Sequence, residues 1–101
     1  MSSVIEKFIV RNRVLFKAAL FEVIAKRCEQ LLHELEEVEK KIKEFEEKYG
    51  VKFEDFEKNL PDSFEAHEIW MDWKSLVETR KAIEEELNEI EEVRRELTEE
   101  I

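Results

Sequence analysis

An all-α fold, a long antiparallel helical hairpin of coiled-coil character closed by a short helical turn, is predicted by three features of this 101-residue sequence. The chain holds one Gly, one Pro and 24 Glu, a composition of long helices. Apolar residues recur at alternating spacings of three and four in two separate stretches. Cap and break signals gather at the N-terminus and in one short stretch near the middle.

Ser3 with Glu6 three residues on forms a capping box, in which the hydroxyl accepts from the Glu6 amide and the carboxylate reaches back. No Gly or Pro follows until Gly50, which suits a left-handed position after Tyr49. The first helix is therefore expected over residues 4–48, about 65–70 Å long at ~1.5 Å per residue. Its second half carries one apolar seam: Cys28, Leu31, Leu35, Val38, Ile42, Phe45 and Tyr49. A single seam implies one main packing partner.

Residues 50–62 break the pattern. Phe53 to Glu57 suits a turn or two of helix, and Leu60-Pro61 ends it because proline disfavours a helical residue before it. Asp62 with Glu65 is a second cap signal, opening a helix over residues 63–99. Its seam reads Ala66, Ile69, Trp73, Leu76, Arg80, Ile83, Leu87, Ile90, Arg94, Leu97 and Ile101. Two arginines interrupt it, with Val77 and Val93 alongside, so the stripe drifts toward a 3.6-residue period. Long helices joined by a compact turn fold back on each other, here pairing residue i with roughly residue 112 − i.

The charge is divided. Residues 1–28 hold six Lys/Arg against Glu6 and Glu22, an excess of +4, whereas the rest of the chain carries −14 of the net −10. The hairpin register lays residues 84–100, with nine Glu, beside residues 12–28, so much of the contrast is expected to cancel within the fold. A charged fraction of 44% with one Gln and three Asn suits a protein from a heat-loving organism.

The basic segment is also apolar on more than one face: Val14, Leu15, Phe16, Ala18, Ala19, Leu20, Phe21, Val23, Ile24 and Ala25 span most of the helix circumference. A helix apolar nearly all round must be buried on most sides, and one partner helix with a single stripe cannot cover it. Self-association into a helical bundle, with a homodimer favoured, is the simplest closure. Phe8, Ile9, Leu15, Phe16, Leu20, Phe21 and Ile24 are the expected interface. The apolar surface is too broad for a one-sided interfacial helix, so no membrane role is expected.

Signals for chemistry are weak. Glu-x-x-Glu spacings such as Glu34/Glu37 and Glu86/Glu89 could share a divalent metal, but at one Glu in four residues they follow from composition. His33 and His67 are each followed by Glu and lack the Glu-x-x-His spacing of di-iron sites, so surface or boundary positions are expected. Cys28 is the only cysteine, which excludes an internal disulfide, and its place on the seam marks a small core residue. One Gly excludes a glycine-rich phosphate loop. No catalysis, metal or cofactor is expected. The net negative charge opposes nonspecific phosphate binding, so nucleic acid is not an expected partner. With no transmembrane run and no signal-peptide pattern, the expected compartment is the cytoplasm.

Six of the ten aromatics gather at the turn: Tyr49, Phe53, Phe56, Phe64, Trp70 and Trp73. They either form a small core that pins the hairpin end or present a recognition site, since Trp and Tyr are enriched among interface hot spots. Within residues 46–73, Lys48-Tyr49-Gly50, a two-residue gap, Phe53-Glu54-Asp55-Phe56, and then Trp70 and Trp73 in an acidic helix make up a pattern. This pattern resembles small helical archaeal proteins that form the antitoxin-like half of toxin–antitoxin pairs. The resemblance implies capture of a toxin protein, with Tyr49, Phe53, Phe56, Trp70 and Trp73 as the binding residues. The expected function is thus non-catalytic protein–protein interaction. The alternatives are a structural oligomer without a second partner and, from another class, an acidic-cluster metal enzyme.

Overall fold

The computed structural model describes residues 3–99. They form four helices, α1 (Val4–Arg11), α2 (Arg13–Tyr49), α3 (Phe53–Lys58) and α4 (Phe64–Glu99), with no strand among the described residues. Helices α2 and α4 pack antiparallel as the expected hairpin, and the molecule measures 62 × 28 × 18 Å. Glu100 and Ile101, part of the acidic run and the seam named above, lie outside the described residues.

The hydroxyl half of the expected capping box forms: Ser3 Oγ accepts from the Glu6 amide at 3.1 Å. The single helix expected over residues 4–48 is, however, broken at Asn12, whose backbone leaves helical geometry at φ −119° and ψ 40°. Both its backbone amide (3.0 Å) and its side-chain Nδ2 (2.8 Å) donate to the Phe8 carbonyl. A short amide side chain competes in this way with the helix ladder. The bend brings the Phe8 and Phe16 rings edge to face with centroids 5.9 Å apart. In a straight helix eight residues would separate them by about 12 Å of rise.

Helix α2 ends as expected, with Gly50 left-handed at φ 69° and its N–H donating to the Glu46 carbonyl at 2.8 Å. In α3, Glu54 and Asp55 occupy the first turn, where carboxylates complement the helix dipole. Asn59 Nδ2 donates to the Asp55 carbonyl at 3.0 Å and closes that helix. The cap of α4 differs from the expectation by one residue. Ser63, not Asp62, precedes the first helical residue, and its Oγ accepts from the Ala66 amide at 3.1 Å.

Both seams are realised. Every α2 seam residue from Cys28 to Tyr49 and every α4 seam residue from Ala66 to Leu97 is buried or half-buried. Leu31 and Ile42 on α2 and Ala66, Trp73 and Ile83 on α4 form the closed core with Ile24 and Phe53. Arg80 and Arg94 are half-buried on the seam, a place their aliphatic stems fit while the guanidinium reaches water. The register is within one residue of the expected one. Arg27 Nε and Nη2 donate to the two carboxylate oxygens of Glu86 at 2.6 and 3.0 Å, joining α2 to α4.

At the turn end, Trp73 is fully enclosed. The rings of Phe45, Tyr49, Phe53 and Phe56 surround it with centroids 5.2, 5.9, 5.6 and 5.2 Å away. These rings come from α2 and α3, so one side chain of α4 ties three helices together. Its indole N–H finds no hydrogen-bond partner among the described residues, a desolvation cost of about 1–3 kcal/mol that the ring packing must exceed.

Two outcomes are expected from urea denaturation. Trp73→Ala should lose about 3–5 kcal/mol, and Trp73→Phe less, because it keeps ring area and removes the orphan donor. Gly50→Ala should cost about 1–2 kcal/mol from left-handed backbone strain alone, since a Cβ there meets no atom within 4 Å. Gly50→Asn should cost less.

Candidate functional site

The fold places the two groups of sequence-predicted residues at opposite ends of the hairpin. At the turn end, burial overturns part of the expected recognition site. Trp73 is 0% and Phe53 7% exposed, so neither offers a surface to a partner, and the cluster is the core that pins the hairpin. The physical reason is convergence: three helices meet there, and the largest rings fill the space between them.

Tyr49, Phe56 and Trp70 are half-buried. Trp70 Nε1 donates to Glu57 Oε2 at 2.9 Å, and Lys74 Nζ sits 4.6 Å above its ring. Trp70 therefore fastens α3 to α4 from outside the cluster. Phe64 and Met71 are exposed at this end. They lie nine and two residues before Trp73, about half a turn round the helix from it, and that spacing was the signal in the sequence for their exposure.

At the other end, Phe8, Ile9, Leu15 and Leu20 of the expected interface are exposed. Phe16 and Phe21 are half-buried. Ile24 requires a correction: it is 9% exposed and belongs to the hairpin's own core, because its position continues the α2 seam one turn before Cys28. In its place Val4, Ile5, Val10, Val14 and Val23 join the surface, making nine large apolar residues exposed by 37–85% over residues 4–23. Val14 and Val23 were already visible in the apolar run. Val4, Ile5 and Val10 lie on α1, beyond the reach of α4 in the hairpin register.

Beside this surface, α2 and α4 enclose an open groove of about 400 Å³, lined by Val23, Ile24, Arg27, Glu86, Glu89, Ile90 and Val93. The Arg27–Glu86 pair closes over one part of it, and both side chains are partly exposed. The hydrogen bond to Glu86 raises the Arg27 pKa above its ordinary value. The same bond, ahead of the opposing desolvation, holds the Glu86 carboxyl below the usual carboxylate range. Here the basic segment and the acidic helix meet as the sequence predicts.

Groups with chemical potential are dispersed. Cys28 is half-buried on the seam, and His33 and His67 are exposed. His33 Nε2 lies 3.5 Å from a Glu37 oxygen. Among the described residues, no three of His, Cys, Asp and Glu converge as metal ligands, and no helix is long and apolar enough to cross a membrane.

The Glu86 shift fixes the sign of a pH effect. A carboxyl held low in the folded state stabilises fully above its unfolded value and loses that contribution as pH falls through the folded value. Glu86→Gln should therefore lower the melting temperature near neutrality, and the gap from wild type should shrink below about pH 4. Melting curves between pH 7 and 3 check this; a gap that stays constant would contradict it. Comparison with protein-family models, curated proteins and solved structures finds no match for the chain.

Proposed function

We propose that this protein is a non-catalytic protein–protein interaction module that self-associates through the apolar surface of α1 and the start of α2, with a homodimer the favoured assembly. The observation that carries this reading is the set of nine exposed large apolar residues between Val4 and Val23. They leave several hundred Å² of apolar surface in water, the scale of a functional patch on a monomer. A stable interface buries ~800 Å² per partner.

The apolar side chains are spread round the helix instead of along one line. Within α1, Val10 faces away from Ile5 and Ile9 by more than a quarter turn. That breadth favours enclosure by other helices over an interfacial helix resting on lipid. A net charge of −10 disfavours nucleic acid. The compartment proposed is the cytoplasm.

A second reading extends the first. The antitoxin-like resemblance places a toxin protein at the turn end, and exposed Phe64 and Met71 beside half-buried Trp70 supply apolar surface there. Co-expression with the product of the neighbouring gene, followed by pull-down, tests it. Loss of capture in Phe64→Ser/Met71→Ser is expected, and capture unaffected by both changes would contradict it.

Sedimentation equilibrium tests the main reading. A mass of twice the 12.3 kDa chain is expected at micromolar concentration. Leu15→Lys/Leu20→Lys should sediment as a monomer with unchanged helix content, since both residues are exposed. A wild-type monomer would overturn the proposal.

A further inference from the structure

We infer that α1 of one copy docks in the α2–α4 groove of a second copy, reciprocally about a two-fold axis. This rests on the self-association proposed above and specifies where one copy seats on the other. Shape and charge both fit. Helix α1 is eight residues long, and Val4, Ile5, Phe8 and Ile9 share one side of it. Lys7 and Arg11, four apart, edge that side. The groove is lined by the apolar Val23, Ile24, Ile90 and Val93, by the Arg27–Glu86 pair, whose charges offset each other, and by Glu89 on the α4 side.

Sequence spacing continues both walls. Phe16, Leu20, Val23 and Arg27 fall on one stripe of α2, and Glu86, Glu89, Val93 and Glu96 on one stripe of α4. An apolar helix face edged by cations thus matches an apolar trough with an acidic wall, the helix-in-groove mode of recognition. Among the described residues Lys7 and Arg11 form no ion pair with an acidic helix, and Glu89 and Glu96 pair with no cation.

The groove's occupant is a second copy, because the chain's own α1 cannot reach it. A single non-helical residue, Asn12, separates α1 from α2. One residue bends a helix, whereas reversing it onto its neighbour takes a connection of about 2–8 residues. Val23 lies roughly 16 Å along α2 from the bend. Two-fold symmetry makes the contact reciprocal, so each copy gives one α1 and receives one.

Charge exchange between full-length chains tests this. One variant carries Lys7→Glu and Arg11→Glu, and the other Glu89→Lys and Glu96→Lys; all four side chains are exposed, and circular dichroism verifies helix content. Each variant alone pairs like charges at both reciprocal sites, so its homodimer should weaken by roughly tenfold at low salt. An equimolar mixture pairs opposite charges at both sites and should dimerise about as tightly as wild type. A wild-type dimer whose variants keep full affinity, or whose mixture is no tighter than the separate variants, overturns the groove contact and leaves self-association standing. A monomeric wild type overturns both.

Discussion

The enclosure of Trp73 by four aromatic rings is the constraint from which the rest of the molecule follows. Phe45 and Tyr49 reach it from α2 and Phe53 and Phe56 from α3, so the turn, the crossing and the starting register of the hairpin are set at one point. Aliphatic seam positions alone would hold the two helices in register less firmly than this one large ring does. Once Trp73 is seated, the seams align outward from it, through Ile42 and Ile83 to Leu31. Further along α4 from Trp73, Glu86 then falls opposite Arg27.

That alignment in turn creates the groove between Val23 and Val93.

Electrostatics supports this geometry without driving it. Arg27 and Glu86 are both partly exposed, where an ion pair contributes little beyond its geometry. The pair's value is directional: a bidentate contact joins the basic end of α2 to the acidic end of α4 and no neighbouring register repeats it. The long helices bury one stripe each and leave their charged faces to water, which suits a chain with a net charge of −10. Only in residues 4–23 do large apolar side chains remain on the surface in numbers. The enclosed aromatic cluster thus lies at the turn end and the exposed apolar surface at the other.

The hairpin was legible because long, regular seams are the strongest pattern a sequence carries. Both seams, the left-handed Gly50 and the Ser3 cap stand where spacing and residue type put them. Asn12 was missed as a break because a lone asparagine inside an apolar run lacks the punctuation of Gly or Pro. Its side-chain bond to the Phe8 carbonyl is a local competition with the helix ladder that residue type alone does not announce. The roles of Trp73 and Ile24 were less legible for a different reason. Residue type marks both as candidates for an interface, although Trp73 stands on the α4 seam and its spacing already pointed inward. Continuing the α2 seam one turn toward the N-terminus would have placed Ile24 in the core.

The central claim is that residues 4–23 form an assembly surface. Hydrogen exchange measured over a range of protein concentrations tests it most directly, because it reads each helix separately. Amide protection in α1 and the first turns of α2 should rise with concentration, while protection around Trp73 stays constant. Protection of residues 4–23 that does not change with concentration would contradict it.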